Sequence, residues 1–472
     1  MRKNICVLLL AVSLCAVATA QVDPLYFVRS SNQSLTYQPG RPAFRKAYFG
    51  LGISNMNLGF GSGLFSYNDL FYQEGEYKYL NVNRLISNFK DEKKSLTSLD
   101  LRLEILGAGF SVGSFYVQAS MNLRSETHLR LPGEAFAYLL EGNGTYVGKP
   151  VHSDFSVTSL NYLETGIMLQ KTLFENYTVG IRPKLLSGLA NVRTKEAYLE
   201  LYTDNEWNLH ANGSIDAMVC MPDMDAFKGG KAGHAAQQLF GRNRGFGMDA
   251  GVDVVLPMNF GLSASVLDLG SIHWNPESPS SFKRLTAGVN KESRYYEDGY
   301  LTFKGLDYDA INKILNSDDA FENLSDSLSQ LVSHELTDGG EAYTTRLTPK
   351  FILEARYSIT KNQHVAMVSR TDFYEGDART ALSLGYNGHF ASFFDVAVMY
   401  TIRNTFGYNN TLGIGTNLKL GPVNWYLSVY NLNLNFDGRY YQWKDLHHIG
   451  LQTGFSIAVG KRDVQKKDKD ED

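Results

Sequence analysis

Alternation of apolar and polar residues with period two dominates this chain. Across 395–403, Val396, Val398, Tyr400 and Ile402 share one face, while Asp395, Ala397, Met399, Thr401 and Arg403 share the other. Across 411–420, Leu412, Ile414, Leu418 and Leu420 oppose Gly413, Gly415, Asn417 and Lys419, and 449–459 repeats the pattern. In the first half, Leu99, Leu101, Leu103 and Ile105 oppose Asp100, Arg102 and Glu104, and Phe115, Val117, Ala119 and Met121 oppose Tyr116, Gln118, Ser120 and Asn122. Such runs last about ten residues, enough to cross a bilayer as a tilted strand, whereas strands of soluble sheets average five or six. An Arg or Lys turned toward lipid at mid-bilayer costs roughly 2–4 kcal/mol, so the charged face must line a lumen. The pattern predicts an all-β fold: a transmembrane antiparallel β-barrel of about 14–16 strands.

Connection lengths sharpen the prediction. Strands are expected to begin near residues 48, 99, 115, 159, 177, 194, 207, 246, 260, 349, 364, 379, 393, 410, 424 and 449, sixteen in all. Alternate connections are short, at 111–114, 174–176, 204–206, 257–259, 360–363, 387–392 and 421–423. The long ones fall between them, at 59–98, 125–158, 218–245, 270–348 and 435–448. Barrels of this kind have short periplasmic turns and long outer loops, so an even strand count places both termini in the periplasm.

The barrel is expected over 48–460, with other segments around it. Residues 1–20 read as a signal peptide: Arg2 and Lys3, an apolar run to Ala18, and an A-x-A site cleaved after Ala20. Residues 21–47, with Pro24, Pro39 and Pro42, form a periplasmic or plug segment. Within the extracellular insertion 270–348, apolar residues switch to helical spacing, predicting two short helices at 306–335. The tail 461–472 is charged and periplasmic.

Composition fits this picture. The chain has 43 Gly, 28 Tyr and 27 Phe but 12 Pro, which suits aromatic girdles around a polar interior. With 45 basic and 49 acidic side chains and no basic patch, a nucleic-acid partner is not expected. After export Cys220 stands alone, so no intrachain disulfide forms.

Catalytic and metal motifs find little support. Gly109-Phe110-Ser111-Val112-Gly113 matches G-x-S-x-G but lies between strands, where a nucleophile elbow needs a strand followed by a helix. His447-His448 lacks further ligands at fixed spacing, and His334-Glu335 lacks the second His of H-E-x-x-H. The expectation is a protein that is not an enzyme and holds no cofactor or metal. The chemistry that stands out is the charged lumen face: Arg102, Glu104, Arg124, Arg182, Glu354, Arg356, Arg370, Arg379, Asp395 and Arg403, with Asp100, Glu164 and Lys184 beside them. Mixed charge in a confined lumen tends to pair, giving either a salt-bridged interior or a polar permeation path.

Asn243-Arg244-Gly245-Phe246-Gly247-Met248-Asp249, followed by Ser263-Ala264-Ser265-Val266-Leu267-Asp268-Leu269-Gly270, resembles the signature of an uncharacterised outer-membrane protein family of Bacteroidota. Leu306-Asp307-Tyr308-Asp309 and Glu341-Ala342-Tyr343-Thr344-Thr345 belong to the same resemblance. More distantly, Pro39-Gly40-Arg41-Pro42-Ala43-Phe44 is similar to the N-P-A segment of long-chain fatty-acid transporter-like barrels and type IX secretion accessory barrels, with Arg41 where Asn is usual. That similarity implies fourteen strands, an N-terminal plug and helical outer loops. The expected function is a passive outer-membrane channel or transporter for small molecules, hydrophobic ones included, in contact with outer-membrane lipids. The alternative is a non-enzymatic interaction barrel with secretion or envelope proteins as partners.

Overall fold

The computed structural model describes residues 22–462 apart from 65, 76, 92–94, 175, 223–240, 242, 277–280, 305–330, 339–340, 375–376, 391–392, 404–409 and 434–446. The expected signal peptide with its site at Ala20, and most of the charged tail, lie outside the described residues.

Fourteen strands build the wall. In chain order they are β1 (Arg45–Ser62), β2 (Leu96–Val112), β3 (Phe115–Arg130), β4 (Ser156–Leu173), β5 (Tyr177–Thr203), β6 (Arg244–Val255) and β7 (Phe260–Trp274). The circuit continues with β8 (Lys350–Thr360), β9 (Gln363–Tyr374), β10 (Asp377–Phe390), β11 (Phe394–Arg403), β12 (Thr411–Leu420), β13 (Val423–Asn433) and β14 (His448–Lys461). Each pairs antiparallel with the next, and β14 pairs back onto β1 through Phe49↔Ile457 and Leu58↔Leu451. Closure leaves the wall no edge, so its backbone groups are satisfied inside a bilayer.

The expected count of sixteen gives way to fourteen because the strands placed near 194 and 207 are not wall. β5 runs unbroken for 27 residues, and its far half leaves the barrel. Leu209–Met221 returns alongside that half, with Tyr202↔His210 and Val192↔Val219 in register. The connection at 204–206, expected among the short turns, therefore lies at the end of the long loops. Alternation is the same for a strand in the wall and for one above it, so period two could not separate them.

The projecting half of β5 carries the sheet on beyond the barrel. Leu209–Met221 pairs with Ser281–Val289, which pairs with Val332–Asp338. The helices expected at 306–335 fall mostly outside the described residues, but Val332–Glu335 is strand rather than helix. There the neighbouring edge (Leu285↔Leu336) supplies a ladder that helical spacing alone cannot predict. Helices do occur in the first two long connections, where the apolar spacing predicts none but the resemblance implies helical loops: α1 (Val82–Phe89) and α2 (Gly133–Glu141). Asn81 caps α1, and Leu85 and Phe89 on its apolar stripe pack with Leu64 and Ala137.

The outside of the wall is a continuous apolar belt. Leu51, Leu185, Leu384 and Leu420 are 69%, 67%, 61% and 66% exposed, which suits lipid as the solvent. Aromatic rings gather beside the short connections: Phe110 and Phe115, Phe174 and Tyr177, Phe390 and Phe393, and Phe260 with Tyr357 at 5.0 Å between ring centres. They form the girdle expected at a bilayer interface. Among the described residues no helix is long and apolar enough to cross a membrane.

Eight strands make a barrel that side chains alone can fill, whereas fourteen leave a lumen. Here residues 22–44 enter it. Pro24–Tyr26 and Asn32–Thr36 are single 3₁₀ turns, capped by the side chains of Asp23 and Ser31. Leu25, Tyr26, Phe27 and Val28 pack on Leu267, Ile352, Val368 and Met399 of the inner wall. The polar run Ser30–Ser34 is also buried, which a polar lumen tolerates and an apolar core would not.

Two inward glycines make the close approach feasible. A Cβ on Gly180 would overlap the Pro39 carbonyl, and one on Gly251 would overlap the Gln38 side chain. Any other residue at either position displaces the segment.

Candidate functional site

Inward positions on neighbouring strands bring the lumen charges together in three clusters. In the first, Lys184 on β5 contacts Asp249 and Asp268 at 2.7 Å each and Glu164 at 3.1 Å. Arg124 on β3 joins it, 2.7 Å from Glu126 and 3.3 Å from both Glu164 and Asp268. Lys350 on β8 reaches Asp268 at 2.6 Å, Arg102 reaches Glu164 at 3.5 Å, and Arg182 reaches Asp249 at 3.2 Å. Contacts from β3 to β7 and β8 span four and five places round the wall, so this cluster ties distant strands across the lumen.

The second cluster ties wall to inserted segment. Glu354 accepts from Arg41 at 2.6 Å, Tyr26 at 2.8 Å and Ser263 at 3.0 Å, with Arg29 at 3.7 Å. Arg356 beside it grips Asp253 with two hydrogen bonds, 2.6 and 2.8 Å long. Arg41 is held further by the Tyr26 carbonyl and lies over the Tyr26 ring at 4.4 Å. In the third cluster Asp395 takes Ser30 at 2.6 Å, Lys419 at 2.6 Å and His389 at 2.7 Å.

Of the lumen residues expected from sequence, Arg102, Arg124 and Arg182 thus join one network with Glu164 and Lys184. Glu354 and Arg356 join another, and Asp395 the third. Arg370 pairs with Asp372 at 2.7 and 2.8 Å, and Arg379 lies 4.9 Å over the Tyr374 ring. Glu104 sits apart, taking hydrogen bonds from Tyr48 and Ser54 toward the short-turn end. Arg403 closes β11 opposite Ala381, with its side chain outside the described set.

Several partners were not among the expected lumen charges: Glu126, Asp249, Asp253, Asp268, Lys350, Asp372 and Lys419. Asp249, Asp253 and Lys419 were legible as lumen-facing by the same alternation. Asp268 was not, because the β6–β7 register shifts beside it and its φ is +57°, so both Leu267 and Asp268 turn inward. The inserted segment's Arg29 and Arg41 carry no periodic signal at all.

Above the inserted segment lies a cavity of about 110 Å³ lined by six carboxylates and six basic side chains. Tyr37 and Asp23 of the inserted segment border it, as do His128, Tyr374 and Arg379 toward the long loops. The His128 and Tyr374 rings are 4.1 Å apart although β3 and β9 stand six places apart in the wall. The lumen is therefore bridged at this level as well.

Other sequence motifs land in structural places. Gly109–Gly113 runs along β2 into its turn, with Gly113 at φ +56° and a strand on either side. His447 binds Asp69 at 3.0 Å, and Cys220 is buried. Among the described residues no three His, Cys, Asp or Glu side chains gather as a metal site.

A closed fourteen-stranded wall, apolar outside and charged within, with a stretch of its own chain in the lumen, defines an outer-membrane-type β-barrel. The chain belongs to DUF5723, a family of unknown function, whose model matches residues 39–429. No curated protein matches the sequence. Among solved structures it is similar to the toluene transporter TodX of Pseudomonas putida, at 8% identity and TM-score 0.42, over 94% of this chain and 95% of that one. It is also similar to the toluene transporter TbuX of Ralstonia pickettii, at 7% identity and TM-score 0.43, over 91% and 94%. A FadL homologue of Pseudomonas aeruginosa matches at 9% identity and TM-score 0.42, over 94% and 98%. Likenesses this distant say nothing of substrate.

Proposed function

We propose that this protein is a passive channel or transporter for small molecules in the outer membrane, closed by its own residues 22–44. The observation that carries the reading is a lumen cavity shut below by a segment that no wall strand ladders with. Among the described residues that segment is held mainly by side-chain contacts, which can exchange without opening the barrel. Short turns and both termini face the periplasm in this reading, and the long loops and the sheet extension beyond β5 face outward.

Hydrophobic solutes fall within it as molecules that meet the wall's outer side in lipid. There Val252, Leu262, Ala264, Leu353 and Met367 border an apolar concavity of about 460 Å³.

The test is solute uptake into proteoliposomes by the mature chain and by a chain lacking residues 22–43. Arabinose serves as the probe. Deletion is expected to raise uptake at least tenfold. No uptake by either chain, together with a stable protein partner recovered by cross-linking from intact membranes, would favour an interaction barrel instead.

A further inference from the structure

We propose that the lumen cavity is a binding site for a small zwitterion, a solute carrying an ammonium and a carboxylate a few bonds apart, such as an amino acid or short peptide. The proposal rests on the channel reading and narrows its solute class. The lining carries equal numbers of acidic and basic side chains, so an occupant of zero net charge leaves the balance undisturbed. A hydrocarbon there would strip water from charged groups and return no hydrogen bonds. A lone ion would add an uncompensated charge.

Particular groups supply the two ends. Asp100, on the inner face of β2, has no ion pair within 4.0 Å among the described residues, although it lies opposite Glu126, which Arg124 holds. Its carboxylate is the acceptor for an ammonium. Arg379, fixed over Tyr374, borders the same cavity and supplies a guanidinium for a carboxylate. His128 is 7% exposed, and its Nδ1 has no hydrogen-bond partner. A buried polar atom on a cavity wall calls for a partner from within the cavity, and the amide or ammonium of a short peptide provides one.

The test is calorimetric titration of the detergent-solubilised mature protein with glycylglycine, its folded state verified by heat-modifiable gel mobility. Saturable binding is expected, weakened at least tenfold by Asp100→Asn and restored by Asp100→Glu. Methylammonium and acetate, each with one of the two charges, are expected to bind at least tenfold more weakly. A folded barrel that does not bind glycylglycine, or binds it equally with Asp100→Asn, overturns the proposal. If proteoliposome uptake persists in that case, the channel reading stands and only the zwitterion site falls.

Discussion

Two charge clusters in the same lumen do different work. The Lys184 cluster joins wall to wall in its ion pairs: each member sits on a barrel strand, and Lys184 alone meets three carboxylates. Among the described residues only its Arg182 also donates to the inserted segment, at the Leu35 and Thr36 carbonyls. The Glu354 cluster joins wall to inserted segment, since Arg29, Arg41 and Tyr26 come from residues 22–44. Both are buried, and both hold their charges by geometry. They differ in what happens when a partner is lost. Wall strands cannot move apart without breaking the ladder, so a stranded charge stays buried. The inserted segment can withdraw and hydrate its arginines. Burial alone therefore does not say whether a salt bridge is a brace or a latch; the connectivity of its partners does.

Substitutions should separate the two roles. Lys184→Met leaves Glu164, Asp249 and Asp268 short of a cation and should cost about 3–5 kcal/mol in urea unfolding from detergent, with the segment still seated. Glu354→Gln should cost less, about 1.5–3 kcal/mol, because the freed arginines can reach water. It should also expose a Ser30→Cys reporter to a thiol reagent that does not label the reporter in an otherwise unaltered barrel. Equal unfolding costs with no new labelling would erase the distinction.

Gly251→Leu removes no member of either cluster but fills the space occupied by Gln38 and Gly40. It should open the lumen by steric eviction at about 1–3 kcal/mol, with labelling like that of Glu354→Gln.

The smallest effect lies outside both clusters, in the loops. Burial pushes the Asp69 carboxyl up, but hydrogen bonds from His447 and Arg84 outweigh it and hold it below its ordinary value. A lowered carboxyl contributes its stability in full above the unfolded value of about 3.9 and loses it as pH falls through the folded value. Protease resistance of the 63–95 connection should thus hold at pH 5 and decline only below about pH 4. Asp69→Asn should flatten that acid response.

Much of the wall was legible in the sequence. β3, β12 and β14 follow period two closely enough that most lipid-facing apolar residues and inward charges could be placed residue by residue. Alternation failed at bulges: three residues of β1 between Leu51 and Asn55 lie opposite the single residue Ile105 of β2, Ser54 and Asn55 turn inward together, and Ile105 and Leu106 both turn outward. It failed again at Asp268, a member of the main charge cluster. It also could not tell that β5 continues past the membrane, where the same pattern serves pairing with Leu209–Met221.

By itself, then, the sequence determined that this chain forms a membrane barrel, which faces of its strands meet lipid, and which charges must turn inward. Those features depend on the local pleat and on the cost of charge in lipid, both of which act within one strand. The tertiary structure decided the strand number, the pairing of inward charges into brace and latch, and the passage of residues 22–44 through the lumen. Each of these depends on which strands face one another across a closed wall, and residues hundreds apart in the chain meet there without any periodic signal to announce it.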